Sequence, residues 1–158
     1  MISNRSAPSG TIVPSLIYND VARAIDWLCD VFGFKERLRA GEDGKVGHAQ
    51  LAIGQGGVML GSSRIGQGFA SAPDSAELRP PRANEVSQTL LVRVEDVDAH
   101  YEHAKQRGAR ILQPPTTHPY GERQYTAADL EGHRWTFSQS VADVNPEDWG
   151  ASVSEGPR

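Results

Sequence analysis

The run that decides the fold of this chain is Asp129-Leu130-Glu131-Gly132-His133-Arg134-Trp135-Thr136-Phe137. It opens with an acidic turn around Gly132, and strict alternation of side-chain character follows the turn. The apolar or aromatic set is His133, Trp135 and Phe137, and the polar set between them is Arg134, Thr136 and Ser138. Because successive residues of a strand point to opposite faces, the run predicts a turn followed by a strand with one apolar and one polar face.

A strand and a helix precede this turn, and their pattern occurs twice in the chain. Residues 90–94 predict a strand, Asp96 is a helix N-cap type, and Gly108 can end the helix. Asp20, 76 residues before Asp96, and Gly33 hold the same places in an earlier copy. The first copy predicts strands at 11–18, 34–39, 46–53 and 58–61. The sequence therefore predicts an internal repeat of a strand, a helix and three strands.

The order of elements, closed by Asp-x-x-Gly-His-x-Trp-x-Phe at residues 129–137, resembles the second module of the vicinal oxygen chelate superfamily. This is the family of glyoxalase I, bleomycin-resistance proteins and extradiol dioxygenases, and the resemblance covers roughly residues 11–140. It implies an α+β fold of two βαβββ modules. Their eight strands would form the vicinal oxygen chelate fold with an enclosed concave pocket, commonly in a homodimer.

The domain organisation follows from this repeat and from the composition of the segments around it. We expect a flexible N-terminal arm at 1–10, a first βαβββ module at 11–62, a linker loop at 63–86, a second βαβββ module at 87–140, and a C-terminal tail at 141–158. The arm and the linker are rich in Gly, Pro and Ser. In the tail, Trp149 could pack on a partner, and the last residues read as disordered.

Composition excludes several classes of function. The net charge of -4 gives no basic surface for nucleic acid, and no stretch approaches the roughly 20 apolar residues of a membrane span. Cys29 is the only cysteine, so no internal disulfide can form. We expect a cytoplasmic protein whose partners are a small molecule and a second copy of the chain.

Metal-using members of the family hold one divalent ion on four strands. The resemblance carries those positions to Val13, Gly61, Thr89 and Thr136, none of which is a good ligand beside imidazole or carboxylate. We therefore expect no metal and no cofactor. The alternative is one divalent metal ion held by displaced ligands, for example an improvised site of His48, His118 and Glu122.

Strand parity selects the side chains on the pocket side. The expected ligand-binding residues are His48, Gln50, Thr89, Arg93, Gln124, Arg134 and Thr136. Two of them, Arg93 and Arg134, favour an anionic or carbonyl-bearing ligand. Ion pairs with Glu122, Asp129 or Glu131 are the alternative for both arginines.

The remaining candidates have simpler interpretations. His100 and His103 read as a solvated pair on the second helix, and His133 reads as a packing residue beside that helix. The parity of Arg123 favours a structural salt bridge with Asp129.

The sequence predicts a metal-independent small-molecule-binding protein of the glyoxalase/bleomycin-resistance type. The alternative is a metal-dependent lyase, isomerase or dioxygenase of the same superfamily with displaced ligands. No catalytic residue is assigned; if the chain is an enzyme, the resemblance implies a glyoxalase- or dioxygenase-like lyase or oxidoreductase.

Overall fold

The structure is a computed structural model that describes residues 2–63 and 78–154. Contacts divide the chain into two units. One holds the described residues up to Val86 together with Leu130–His133, and the other holds Ser87–Asp129 and the described residues from Arg134 onward. Residues 64–77 of the predicted linker and 155–158 of the predicted tail lie outside the described ranges.

The described residues of the first unit form four strands and one helix. In chain order they are β1 (Ser15–Tyr18), α1 (Val21–Phe32), β2 (Lys35–Glu42), β3 (Lys45–Ile53) and β4 (Gly56–Ser62). The sheet order is β1-β4-β3-β2, with β1 parallel to β4 and the other neighbours antiparallel.

The second unit repeats this arrangement. Its elements are β5 (Thr89–Arg93), α2 (Val97–Gln106), β6 (Arg110–Thr117), β7 (Glu122–Ala128) and β8 (Arg134–Ser140). A short 3-10 helix, Pro146–Trp149, follows in the tail. The sheet order β5-β8-β7-β6, with β5 parallel to β8, matches that of the first unit strand for strand. Two four-stranded sheets with one helix each confirm the predicted α+β fold.

Each helix begins where the sequence predicts, at an aspartate. The side chain of Asp20 accepts a hydrogen bond from the Arg23 N–H at 3.0 Å, and that of Asp96 accepts one from the Ala99 N–H at 2.9 Å. Helix α1 ends at Gly33, which has φ 78°, and Gly108 after α2 has φ 86°. An N-cap carboxylate satisfies a backbone donor that the helix leaves unpaired, which explains the repeat of the motif. Neither helix, nor any other in the described part of the chain, is long and apolar enough to cross a membrane.

The alternation of residues along each strand places the apolar side chains on the helix side of the sheets, as predicted. Trp135, Phe137 and Tyr125 are fully buried on the helix side of the second sheet, and Leu16, Leu51 and Leu60 are their counterparts in the first. Burial of each large side chain contributes about 1.5–3 kcal/mol to folding. Among residues 2–63 and 78–154, no α-helix of the same unit covers the opposite face of either sheet, and we call this the helix-free face.

The first strand is shorter than predicted. The sequence favours a strand at 11–18, whereas β1 begins at Ser15. Pro14 precedes it and has no N–H to donate, although its carbonyl accepts from the Met59 N–H at 2.8 Å. Val13, which the resemblance places on the first strand, therefore lies before β1.

The acidic turn around Gly132 is bonded to the residues that precede α1. Glu131 accepts hydrogen bonds from the N–H groups of Asn19 and Asp20, at 2.7 and 3.1 Å. These donors lie just before α1, where a negative charge is favoured by the helix dipole. The turn segment Leu130–His133 thus belongs to the first unit through these bonds to its helix start.

We expect Glu131→Gln to lower the free energy of unfolding by about 1 kcal/mol, because the amide offers one acceptor where the carboxylate offers two and carries no charge for the helix dipole. Urea unfolding measures this difference. Glu102→Gln, an exposed carboxylate change on α2, is the control. Equal stability of the two variants would show that the turn does not support α1.

Candidate functional site

The strand register fixes the rows of mostly polar side chains on the helix-free face of the second sheet. Leu91 of β5 lies opposite Thr136, which pairs with Thr126. The next row contains Arg93, Ser138 and Gln124, and the last pairs Glu122 with Ser140. The alternation of β8 accounts for this, because Thr136, Ser138 and Ser140 are two residues apart and share a face.

The carboxylate of Glu122 organises these rows. It accepts hydrogen bonds from the hydroxyls of Ser138 and Ser140. The Arg93 Nη1 donates to both of its oxygens, at 3.3 and 3.4 Å, and to the Ser140 Oγ at 3.1 Å. The Glu122 side chain is only 16% exposed, whereas that of Arg93 is 68% exposed. A half-buried carboxylate is thus fully satisfied by its neighbours.

A directed chain of hydrogen bonds leads to the same carboxylate. The Tyr120 hydroxyl donates to the Gln124 Oε1 at 3.1 Å, and the Gln124 amide donates to the Ser138 Oγ at 3.0 Å. Ser138 in turn donates to Glu122. Each donor is therefore oriented by the next acceptor.

These bonds keep Glu122 ionised. The Ser138 hydroxyl is the largest cause that lowers the pKa of this carboxyl, followed by Ser140, while partial burial raises it and Arg93 lowers it further. A carboxylate with a lowered pKa and occupied lone pairs is a weak general base. The donors around Glu122 therefore lower its basicity.

Five predicted ligand-binding residues lie on this face. They are Thr89, Arg93, Gln124, Arg134 and Thr136, where Thr89 pairs with Arg134 in the register. Arg93 forms the ion pair with Glu122 that was its alternative interpretation. Thr136 shares a 3.0 Å hydrogen bond with Thr126.

The other two predicted residues lie on the helix-free face of the first sheet. His48 pairs with Gly61 and is half-buried. Gln50 is 4% exposed, because its amide donates to the Ser6 carbonyl at 2.9 Å and its carbonyl accepts from Arg37. Arg37 also donates to the Arg5 carbonyl at 2.5 Å. The side chain of Gln50 is therefore already hydrogen-bonded to the N-terminal arm.

The positions that would hold the family's divalent ion do not fit one. Gly61 has no side-chain donor, and the Thr136 hydroxyl is used by Thr126. Thr89 is exposed and Val13 lies outside the strand. Within residues 2–63 and 78–154, no three or more His, Cys, Asp or Glu side chains, His48, His118 and Glu122 included, form a group that could hold a metal. The polar groups of the second sheet's helix-free face are hydroxyls, amides and a paired carboxylate.

The prediction of a solvated His100 was wrong. Its Nδ1 lies 2.6 Å from the Tyr125 hydroxyl, and its ring packs on Phe137 with 4.3 Å between centroids. Tyr125 is fully buried on the helix side of the sheet, so its hydroxyl needs a partner there, and α2 supplies the imidazole. Burial raises the pKa of the Tyr125 hydroxyl strongly.

Two further interpretations from the sequence were wrong. Arg123 pairs with Asp98 of α2, at 2.8 Å, rather than with Asp129. The Asp129 carboxylate instead accepts a hydrogen bond from the Trp135 indole N–H at 3.0 Å. His133 does not pack beside the second helix: its Nε2 lies 2.8 Å from the Ile17 carbonyl, because β8 begins only at Arg134.

The tail after β8 turns back to form a cleft with the start of β7. The Gly121 carbonyl accepts from the N–H groups of Val141 and Ala142, at 2.8 and 3.2 Å. Gly121 has φ 83°, and a Cβ there would lie 2.3 Å from the Ala142 carbonyl oxygen, so only glycine allows this approach. The cleft has a volume of about 500 Å³ and is lined by Tyr120, Glu122, Ser140, Ala142, Asp143 and Val144.

The sequence interpretation did not include several of these residues. Ser138 continues the polar parity of Arg134 and Thr136, and Ser140 extends it by one more step, so alternation alone could have found both. No sequence signal predicts that Gly121 holds the tail. That contact joins segments some 20 residues apart through backbone atoms.

Comparison with known proteins agrees with the strand order and the paired modules. Residues 11–137 match the model of the Glyoxalase/Bleomycin resistance protein/Dioxygenase superfamily. The chain belongs to this superfamily. The suspected relation to the vicinal oxygen chelate proteins is thereby confirmed.

Relatives and solved structures of the superfamily cover most of the chain. An uncharacterized protein of Mycobacterium bovis is 33% identical over 144 residues, which are 89% of this chain and 90% of that protein. The crystal structure of TioX from Micromonospora sp. ML1 is 36% identical with a TM-score of 0.67, and covers 84% of this chain and all of that one. A superfamily member from Sphaerobacter thermophilus, 20% identical with a TM-score of 0.61 over 81% of this chain and 96% of that one, shares the fold.

Gly121→Ala is expected to destabilise the protein by about 2 kcal/mol and to release the tail, because the new methyl group would collide with the Ala142 carbonyl. Gly44→Ala is the matched control, since Gly44 also has positive φ (72°) but a Cβ there meets nothing within 4 Å. Hydrogen exchange at residues 141–144, followed with urea unfolding, measures both effects. Unchanged exchange in Gly121→Ala would contradict the proposed anchor.

Glu122→Gln tests the lowered pKa of the carboxyl. Because the folded-state pKa lies below the ordinary value, the stabilisation by Glu122 is present above that value and is lost as pH falls through the folded-state pKa. We expect the stability difference between wild type and Glu122→Gln to be largest at neutral pH and to shrink in the acid range. A difference that stays constant on acidification would refute this assignment, and Glu102→Gln serves as the reference.

Proposed function

We propose that this superfamily member is a metal-independent small-molecule-binding protein, and that it binds its ligand on the helix-free face of the second sheet. The observation that carries the proposal is that the Glu122 carboxylate is bonded to Ser138, Ser140 and Arg93. These bonds hold the polar side chains of the surface in place without a metal ion. Superfamily members bind small molecules, which supports the general activity.

The surface is suited to binding because its side chains are already ordered. Gln124, Ser138 and Ser140 are held by hydrogen bonds to one another or to Glu122. A ligand that contacts such a surface loses little affinity to side-chain ordering. Leu91, which is 53% exposed on the same face, adds an apolar contact. A small, partly apolar molecule with hydrogen-bonding groups fits this combination.

The chemistry of the face favours sequestration over catalysis. Glu122 is ionised but occupied, and the neighbouring hydroxyls of Thr126 and Thr136 bond to each other. A nucleophile needs an adjacent base with a free lone pair. The side chains here are arranged to hold a molecule in place, and we assign no catalytic residue to the face.

The setting of the protein is part of the same proposal. Cys29 is a free, half-buried thiol, which fits a reducing compartment such as the cytoplasm. A homodimer is proposed from the sequence resemblance, and size-exclusion chromatography with light scattering tests it.

A neutral dye and elemental analysis test the proposed function together. In protein purified without chelator, we expect far less than one divalent ion per chain and binding of the neutral amphiphilic dye Nile red that EDTA leaves unchanged. Leu91→Glu should weaken dye binding at least tenfold, since it places a charge in the apolar contact. Ile12→Glu is the control, because Ile12 is 87% exposed and lies outside the sheets.

Two results would overturn the proposal. Equal dye binding by wild type and Leu91→Glu would remove the site from this face. A stoichiometric metal ion whose removal abolishes binding would favour the alternative, a metal-dependent lyase, isomerase or dioxygenase with displaced ligands.

A further inference from the structure

The cleft between the tail and the start of β7 lies at the end of the helix-free face of the second sheet. It is a shallow cleft, open to solvent, with a volume of about 500 Å³. Four of its lining residues, Ser140, Ala142, Asp143 and Val144, follow residue 137, where the superfamily match ends. Most of the lining of this cleft therefore lies outside the family match, while Tyr120 and Glu122 lie within it.

Tyr120 is the aromatic residue in the lining of the cleft. Trp149 lies beside the cleft rather than in its lining, and its ring meets the Tyr120 ring at 62° with 5.6 Å between centroids. The two rings, which we call the aromatic corner, retain 37% and 45% of their surface exposed. His118 stacks on Tyr120 at 5.0 Å, and Asn145 caps the 3-10 helix that carries Trp149. The corner is held in place from both sides.

The cleft has an excess of negative charge. Glu122 and Asp143 both line it, and Arg93 balances Glu122 through their ion pair. Arg93 therefore does not make the cleft favourable for an anion, in contrast to the expectation from the sequence. Asp143 supplies the unbalanced charge, and a cation is the ligand charge that it favours.

We propose that the cleft binds a methylated ammonium group. The faces of Tyr and Trp rings attract such cations, and the methyl groups of Ala142 and Val144 offer apolar contact to N-methyl carbons. The Glu122 oxygens are already occupied, so Asp143 is the carboxylate that attracts the charge. The aromatic and methyl surface beside it favours a nitrogen that bears methyl groups over one that bears three N–H donors. This inference rests on the proposed function, since it names the ligand chemistry of the same face.

Choline and its uncharged isostere 3,3-dimethyl-1-butanol test the proposal, because they differ in charge at nearly the same shape. Both are titrated into the full chain, and the indole N–H of Trp149 is followed by NMR. We expect choline to bind about tenfold more tightly than the alcohol.

Variants test which residues cause the preference for choline over the alcohol. Trp149→Ala should abolish this preference and Trp149→Phe should keep most of it, since an aromatic face is required. Asp143→Asn should weaken choline binding several-fold and leave the alcohol unchanged, while Glu102→Gln, on the exposed surface of α2, should change neither. Far-UV circular dichroism confirms that each variant is folded.

Equal affinities for choline and the alcohol, or no binding of choline, would overturn the inference. A preference that survives Trp149→Ala and Asp143→Asn would overturn it as well. Nile red distinguishes this failure from failure of the proposed function: dye binding that depends on Leu91 without a preference for choline refutes only the cation site. Absence of dye binding together with absence of choline binding refutes both.

Discussion

The constraint on which the structure depends is that each four-stranded sheet has a single helix to cover it. One face of the sheet then forms a core with that helix, and period-two alternation assigns every strand residue either to this core or to the helix-free face. Trp135 and Phe137 lie in the core of the second unit, whereas their neighbours Thr136 and Ser138 point to the helix-free face. A shift of one residue in register would exchange the two sets, so the core determines where the site can be.

The helix-free face of the second sheet shows how a partly buried charge is accommodated without a metal. Removing a carboxylate from water is costly unless donors surround it. Glu122 meets this requirement through two serine hydroxyls and the Arg93 guanidinium. The same bonds lower the pKa of the carboxyl and fix the orientation of its neighbours. The fixed orientation of the neighbours and the low basicity of Glu122 thus have one cause.

The tail adds features that the repeated module lacks. Because Gly121 has no Cβ, residues 141 and 142 can bond to its carbonyl, which brings Asp143 and Val144 beside the start of β7. Trp149 then reaches Tyr120 of its own chain. A common module can in this way acquire its own ligand preference, since function resides in the site added to a fold rather than in the fold.

The sequence by itself determined the two-module α+β fold, the aspartate caps of both helices and the faces of the strands, because hydrophobic period and capping chemistry are local properties of the chain. It also named Arg93, Gln124 and Thr136 as residues of one face. Only the tertiary structure decided which side chains pair. Arg123 forms its ion pair with Asp98 because α2 packs on that side of β7, and His100 bonds to the Tyr125 hydroxyl because a buried hydroxyl needs an acceptor or donor. Such pairings depend on distances between segments far apart in the chain, and residue types at fixed spacing do not encode those distances.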